Sequence, residues 1–254
     1  MNAEFGSPRT AIVTGAARRI GCVIARALAA RGWTLLLHCN RSTEAADALA
    51  AEIGHARVVR ADLAEPDAAR RIMAAAADLP PPGLLVNNAS RFEHDSLDDF
   101  DVAGWNAHIA VNLRAPAQLI QAFARVVPAG AGGLVVNLLD AKLAQPDADF
   151  FSYTISKMGL AGVTELAARA LAGHGIRVCG IAPAITLVSG PQSRDNFEQV
   201  HALNALGRGV EVDQIVAALD FLLATPTITG QTITLDAGKR FLGLSRDVQF
   251  LDTP

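Results

Sequence analysis

Seven short apolar runs are spaced along the chain, at residues 10–13, 33–39, 56–60, 84–86, 133–138, 176–181 and 231–235. Runs of this length, bounded by glycine, proline or polar residues, read as strands buried on both faces. Between them lie longer stretches with apolar residues at three- and four-residue spacing, at 20–31, 43–53, from about 66, 104–127, 152–172 and 210–224. That period belongs to helices, and glycine stops follow two of them, at Gly32 and Gly173. Strand–helix alternation predicts an α/β fold: a single doubly wound parallel sheet of seven strands, with helices on both faces. No repeat, low-complexity tract or linker interrupts the pattern, so one domain over 1–254 is expected. Residues 184–208 lose periodicity and gather Ser, Gly, Pro and charge, as a substrate-binding loop does. The tail over 240–254 keeps Phe241, Leu242, Leu244, Phe250 and Leu251, and is expected to dock rather than dangle.

Composition narrows the function classes. Half the residues are hydrophobic (51%) and few are aromatic (5%), which suits helices packed on a buried sheet. A net charge of −3 provides no field to recruit nucleic acid or an anionic membrane. Cys22, Cys39 and Cys179 are scattered, and the histidines lack ligand spacing, so neither a disulfide framework nor a metal site is expected. The N-terminus has no signal-peptide pattern, and no uninterrupted apolar run reaches the roughly 18 residues of a membrane span. A cytoplasmic protein follows as the expectation.

The candidate chemistry falls at the C-terminal ends of the predicted strands, where open parallel sheets bind ligands. The first strand runs into Thr14-Gly15-Ala16-Ala17-Arg18-Arg19-Ile20-Gly21 and then a helix. Strand, glycine turn and helix can hold a pyrophosphate on backbone N–H groups, although a plain β–α turn shares the pattern. Arg19 stands where the middle glycine of such a turn is usual. The second strand ends at Asn40-Arg41-Ser42, with no acid for a ribose 2′-OH. Arg41 and Ser42, with Arg18 or Arg19 as a second cation, suit the 2′-phosphate of NADP(H) instead. The plainer reading makes Ser42 a helix cap and Arg41 a solvated side chain. Asp62 can meet an adenine edge or cap the next helix, and Asn87 and Asn88 can lock a loop beside a crevice. Asn112, inside a predicted helix, suits a kink, a bound water or a link to Lys157; a neutral surface position is the alternative.

The last constellation is Asp140, Tyr153 and Lys157. Tyr153 and Lys157, four residues apart, share one face of a helix that Ser152 is placed to cap. A lysine cation beside a phenol is expected to lower the phenol pKa and ready Tyr153, the chain's only tyrosine, to give up its proton. Asp140 ends an apolar run thirteen residues earlier, and a carboxyl group near a phenol can relay a proton.

In order and spacing, Thr14-Gly15…Gly21, Asp62, Asn87-Asn88-Ala89, Asn112, Tyr153…Lys157 and Pro183 resemble the short-chain dehydrogenase/reductase family over roughly 9–240. The resemblance implies a Rossmann-type fold, a nicotinamide cofactor and a homotetramer. Asp140 stands where most members carry serine. With His38-Cys39-Asn40-Arg41-Ser42 and Ser90 before Phe92, it makes the chain similar to the pteridine reductase branch, which includes dihydromonapterin reductases.

By that resemblance Asp140, Tyr153, Lys157 and Asn112 form the catalytic set. Gly15, Arg18, Arg19, Ile20, Gly21, His38, Asn40, Arg41, Ser42, Asp62 and Leu63 would line the cofactor. Asn88, Ala89, Ser90, Pro183, Tyr153 and Lys157 complete that lining. Arg19, Ser90, Phe92, Asp140 and Tyr153 would meet the substrate, Phe92 by stacking; a loop residue tucked into the core is the other reading of Phe92. Ala184 departs from the glycine common after the proline. The activity implied is NADPH-dependent hydride transfer to a C=N bond of a small planar heterocycle, a pterin or dihydropterin/dihydrofolate, with no nucleic acid or membrane partner. Ketone reduction is the first alternative and a silent NADP-binding regulator the second.

Overall fold

The central strands are apolar and buried because helices cover the sheet on both faces, whereas the edge strands carry Arg57, Arg60, Thr232 and Thr234 and stay partly exposed. The computed structural model describes residues 8–189 and 192–251. The ends of the expected domain and tail, and residues 190–191 of the 184–208 loop, lie outside the described residues. The strands are β1 (Thr10–Val13), β2 (Thr34–Cys39), β3 (Ala56–Arg60), β4 (Pro82–Asn87), β5 (Gly133–Leu138), β6 (Ile176–Pro183) and β7 (Thr232–Leu235). They form one parallel sheet in the order β3-β2-β1-β4-β5-β6-β7, as the alternation predicts. The helices are α1 (Arg19–Ala30), α2 (Thr43–Ile53), α3 (Ala68–Ala74), α4 (Val102–Ile109), α5 (Ala115–Val126), α6 (Phe151–Leu171), α7 (Arg194–His201) and α8 (Val212–Ala224).

Alternate strand residues feed opposite layers. Ala11, Val13, Leu35 and Leu37 pack with Ile24 and Leu28 of α1 and Leu219 and Leu222 of α8. Their neighbours Ile12 and Leu36 face the other way, onto Ile72 of α3 and Leu119 and Phe123 of α5. The strand order reverses between β1 and β4, and a crevice opens there beyond the strands' C-terminal ends.

Four local expectations are corrected. The helix expected over 104–127 is interrupted: α4 passes through a π-helical turn, Ala110–Arg114, into α5. Pro116 is the cause, since it has no N–H for the carbonyl of Asn112 and its ring would crowd that carbonyl. Ser152 does not cap α6. Phe150 holds that place in the left-handed region (φ 54°), and Asp95 accepts from the backbone N–H groups of Phe151 and Ser152. Ser42 precedes α2, but its side chain makes no capping bond. The stretch 184–208 is not wholly irregular: α7 lies within it, capped by Ser193, and its weak apolar signal reflects its single buried residue, Val200. Among the described residues no helix is long and apolar enough to cross a membrane.

Candidate active site

A cleft of about 870 Å³ follows the crevice from the glycine turn to the start of α6. At its first end the turn is tied down by neutral hydrogen bonds. Gly15 adopts φ 63°, and a Cβ on Gly21 would stand 2.3 Å from the Gly15 carbonyl oxygen, so neither position admits a side chain without displacement. Asn88 Nδ2 donates to the carbonyls of Thr14 (2.8 Å) and Gly15 (3.2 Å). The N–H groups of Asn88 and Ala89 donate to Thr14 Oγ1, each at 3.0 Å. His38 Nδ1 accepts from the Gly15 N–H at 3.2 Å, which leaves Nε2–H to donate to the Ala61 carbonyl at 3.0 Å. Burial lowers the His38 pKa and keeps this neutral tautomer. His38 therefore lines the cleft with both ring nitrogens engaged in holding the turn.

Arg19 takes the place of the missing glycine at φ 55°, a conformation that costs a non-glycine residue roughly 1–2 kcal/mol. Its Nη1 donates to the Val188 carbonyl at 2.6 Å, joining the turn to the loop after β6. Arg18, Ile20 and Gly21 line the cleft beside it, and no side chain caps the N-terminus of α1. Farther along, Asn40, Arg41, Ser42, Asp62 and Leu63 line the wall; Asp62 Oδ1 accepts from the Ala64 N–H at 2.9 Å. No carboxylate ends β2.

Asn112 is buried and fully used. Its Oδ1 accepts from the Arg91 N–H (2.8 Å) and the Ser90 hydroxyl (3.3 Å). Its Nδ2 donates to the Arg91 carbonyl (2.9 Å) and Ser156 Oγ (3.0 Å). The π turn thus joins the 88–92 loop to α6 through Ser156. Asn112 sits at the break in the helix, one of the readings open for it, and a direct link to Lys157 is not made: Lys157 Nζ donates to the Leu138 carbonyl at 2.7 Å.

At the other end of the cleft the Tyr153 hydroxyl donates to Asp140 Oδ2 at 2.7 Å. Its pKa lies well above that of an ordinary phenol: burial first, then Asp140, then Asp247 favour the protonated form. The lowering expected from Lys157 is overturned. Lys157 Nζ lies 5.7 Å from the ring centroid and is turned to the Leu138 carbonyl, while the nearest charge to the hydroxyl is a carboxylate. Burial in turn brings Lys157 itself down to about 8, partly offset by Asp140. Phe92 is half-buried in the cleft wall, stacked on Phe150 (4.3 Å, 18°) and edge-on to Tyr153 (4.7 Å, 84°). It is not lost in the core.

The family model for short chain dehydrogenases matches residues 9–199. The chain belongs to that family of oxidoreductases. Among solved structures it is similar to FolM alternative dihydrofolate reductase 1 from Brucella canis, complexed with NADP. The two share 38% identity over 94% of this chain and 97% of that one, with a TM-score of 0.90. The Brucella suis protein of the same name, also with NADP, gives 38% identity, 92% and 95% coverage and a TM-score of 0.88. These neighbours support the resemblance to the pteridine reductase branch. Among characterised relatives, a 3-oxoacyl-[acyl-carrier-protein] reductase of Synechocystis is 29% identical, over 91% of this chain and 96% of the relative. Galactitol 2-dehydrogenase of Cereibacter sphaeroides is 34% identical, over 90% and 93%.

Against this family frame, the structure brings every expected site residue onto the cleft or, for Asn112, immediately behind it. Ala184 is accommodated: its N–H donates to the Leu235 carbonyl at 2.8 Å and its backbone avoids the left-handed region. Sequence reasoning missed Lys142, Phe150 and the tail residues Asp247 and Gln249. Lys142 and the two tail residues line the cleft, and Phe150 backs Phe92. Lys142 Nζ donates to Asp147 Oδ1 (2.5 Å) and the Asp149 carbonyl (2.6 Å), and lies 3.6 Å from Asp247 Oδ2. Asp149 accepts from Arg246 Nη2 (2.7 Å) and Nε (3.1 Å) and from the Asp247 N–H (2.8 Å). The concentration of charge at 140–149 and 246–247 was the available signal, but it carries no pairing rule. Among the described residues no cluster of three or more His, Cys, Asp or Glu is placed to hold a metal ion.

Proposed function

We propose that the protein is an NADPH-dependent reductase that delivers hydride to a C=N bond of a pterin or dihydropterin/dihydrofolate-type substrate. The observation that carries this reading is the 2.7 Å hydrogen bond from Tyr153 to Asp140 in a cleft faced by Phe92. The residues present fit the cofactor. The uncapped N-terminus of α1 offers N–H groups to a pyrophosphate, with Arg18 beside it. Arg41 and Ser42, at a strand end without a carboxylate, suit a 2′-phosphate. Asp62 and Leu63 would lie against the adenine, Asn88, Ala89, Ser90 and Pro183 along the remainder, and Lys157 at the nicotinamide ribose. NADPH, when bound, supplies the hydride.

The chain's own part is orientation and proton delivery. Reducing C=N needs a proton on nitrogen as hydride reaches carbon, so the bond becomes CH–NH. Tyr153, held protonated by its surroundings, gives that proton. The phenolate left behind would lie 2.7 Å from an Asp140 oxygen in a buried site, and two anions there repel strongly. Replacement of that proton from solvent by way of Asp140, which takes up a proton and passes it to the phenolate, removes that repulsion. Arg19 would contact pyrophosphate and heterocycle, and Phe92, fixed from behind by Phe150, presents a flat face for a flat substrate. Exposed apolar side chains at Leu97, Phe100 and Val102, with Met158 and Leu166 on α6, suit the faces of a homotetramer.

The test is NADPH oxidation with dihydrobiopterin, dihydromonapterin and dihydrofolate beside a panel of small ketones and an NADH control. Turnover of the heterocycles with NADPH preference is the expected result. Ketone reduction is the second reading, favoured by the 3-oxoacyl reductase and sugar-alcohol dehydrogenases among the relatives; turnover of ketones alone would establish it in place of the first.

A further inference from the structure

The tail is anchored by its backbone and by Arg246, which leaves two of its side chains for the cleft. Three hydrogen bonds to Asp149 and one from Gln145 Nε2 to the Leu244 carbonyl (2.9 Å) fasten residues 244–247. Val248 is fully buried, and the Phe250 ring lies 5.8 Å from that of Phe150. So fastened, the tail turns Asp247 and Gln249 into the cleft wall. The Asp247 carboxylate is 13% exposed, and Oδ1 accepts only the Gln249 N–H among the described residues. Oδ2 lies 3.6 Å from Lys142, beyond hydrogen-bond length, and the carboxylate is near enough to Tyr153 to help hold its proton. Gln249 Oε1 is buried with no partner among the described residues, a state that costs about 1–3 kcal/mol until a donor satisfies it. Both features are acceptors in residues that line the same cleft as Phe92.

We propose that the C-terminal tail is the specificity element of the substrate site. Asp247 and Gln249 accept hydrogen bonds from the N–H-rich edge of an aminated pyrimidine ring, fused to the ring that is reduced. The inference rests on the reductase reading above and adds to it which edge of the heterocycle is read, and by what. A carboxylate accepts two parallel N–H bonds from an amino group and its neighbouring ring N–H. A ring lacking the exocyclic amino group leaves those acceptors unpaired, and discrimination of this kind is large.

The experiment compares a 2-amino-4-oxo-dihydropteridine with the same ring lacking the amino group, using wild type, Asp247→Asn and Gln249→Leu. Wild type is expected to favour the aminated ring by at least about tenfold in kcat/KM, seated in KM. Both variants should bring that ratio close to one while the Kd for NADPH stays within error. Equal kcat/KM of wild type on the two rings, or variants with undiminished discrimination, would overturn the tail's role and leave the reductase reading standing. No turnover of either ring by wild type would overturn both. If Asp247→Asn does not fold, the wild-type ratio and Gln249→Leu still decide the matter.

Discussion

The two ends of the cleft are built differently. At the glycine turn, Thr14, His38 and Asn88 close a set of neutral hydrogen bonds onto backbone, and even the histidine is held uncharged. At the Tyr153 end, the protein gathers Asp140, Lys142, Asp147, Asp149, Lys157, Arg246 and Asp247 around a stack of aromatic rings. A neutral, fully paired scaffold holds a shape across pH and salt. Buried charges set proton affinities, and each depends on its neighbours. The first end suits a ligand that is always the same, and the second suits chemistry.

Changes at the two ends should therefore fail in different ways. The largest effect is expected from Tyr153→Phe, which removes the proposed proton donor: kcat should fall by about 10²–10⁴-fold while NADPH binding stays within error. Fluorescence titration beside turnover separates the two, and retained turnover would remove Tyr153 from its role. Gly21→Ala attacks the other end. Its new Cβ would stand 2.3 Å from the Gly15 carbonyl oxygen, so stability should drop by about 1–3 kcal/mol, with weaker NADPH binding, measured by urea melts and titration.

The contrast in charge should also show in pH profiles. The Lys157 cation is lost as pH rises through about 8. If the free enzyme needs that cation, kcat/KM should decline above that point, by about tenfold per unit. The neutral His38 clamp, its pKa lowered by burial, predicts no matching break of its own in NADPH binding between about pH 7 and 8, read by titration across that window. The smallest effect belongs to Asp149→Asn, which weakens the anchor of the tail. Much of its Arg246 partner is exposed (54%), so the loss should be modest: KM for the heterocycle rising severalfold, about 1 kcal/mol, with the Kd for NADPH unchanged.

These two ends also differ in how far they can be read from sequence. The glycine turn is local: Gly15, Gly21 and the strand before them carry their geometry in residue type, since only glycine fits the close approach. The strand periods and the order of helices likewise predict the sheet, because each element must bury its own apolar face. Tyr153 and Lys157 are legible for the same reason, a shared helix face.

The sign of the Tyr153 shift was not legible. It depends on which charge lies nearest the hydroxyl, and the fold places Asp140, two residues past the end of β5, there while turning Lys157 to the Leu138 carbonyl. Nor did the pattern show the π turn at Asn112, because the clash that makes it is between Pro116 and a carbonyl one turn earlier. Asp149 on Arg246 and the tail residues Asp247 and Gln249 in the cleft wall join residues far apart in the chain.

Periodicity and residue type determined by themselves the parallel sheet, the glycine turn and the pairing of Tyr153 with Lys157 on one helix face. Only the tertiary structure decided which groups surround the Tyr153 hydroxyl, because hydrophobic burial and backbone geometry are written locally, whereas electrostatic environment is set by whatever the completed fold brings within a few ångströms.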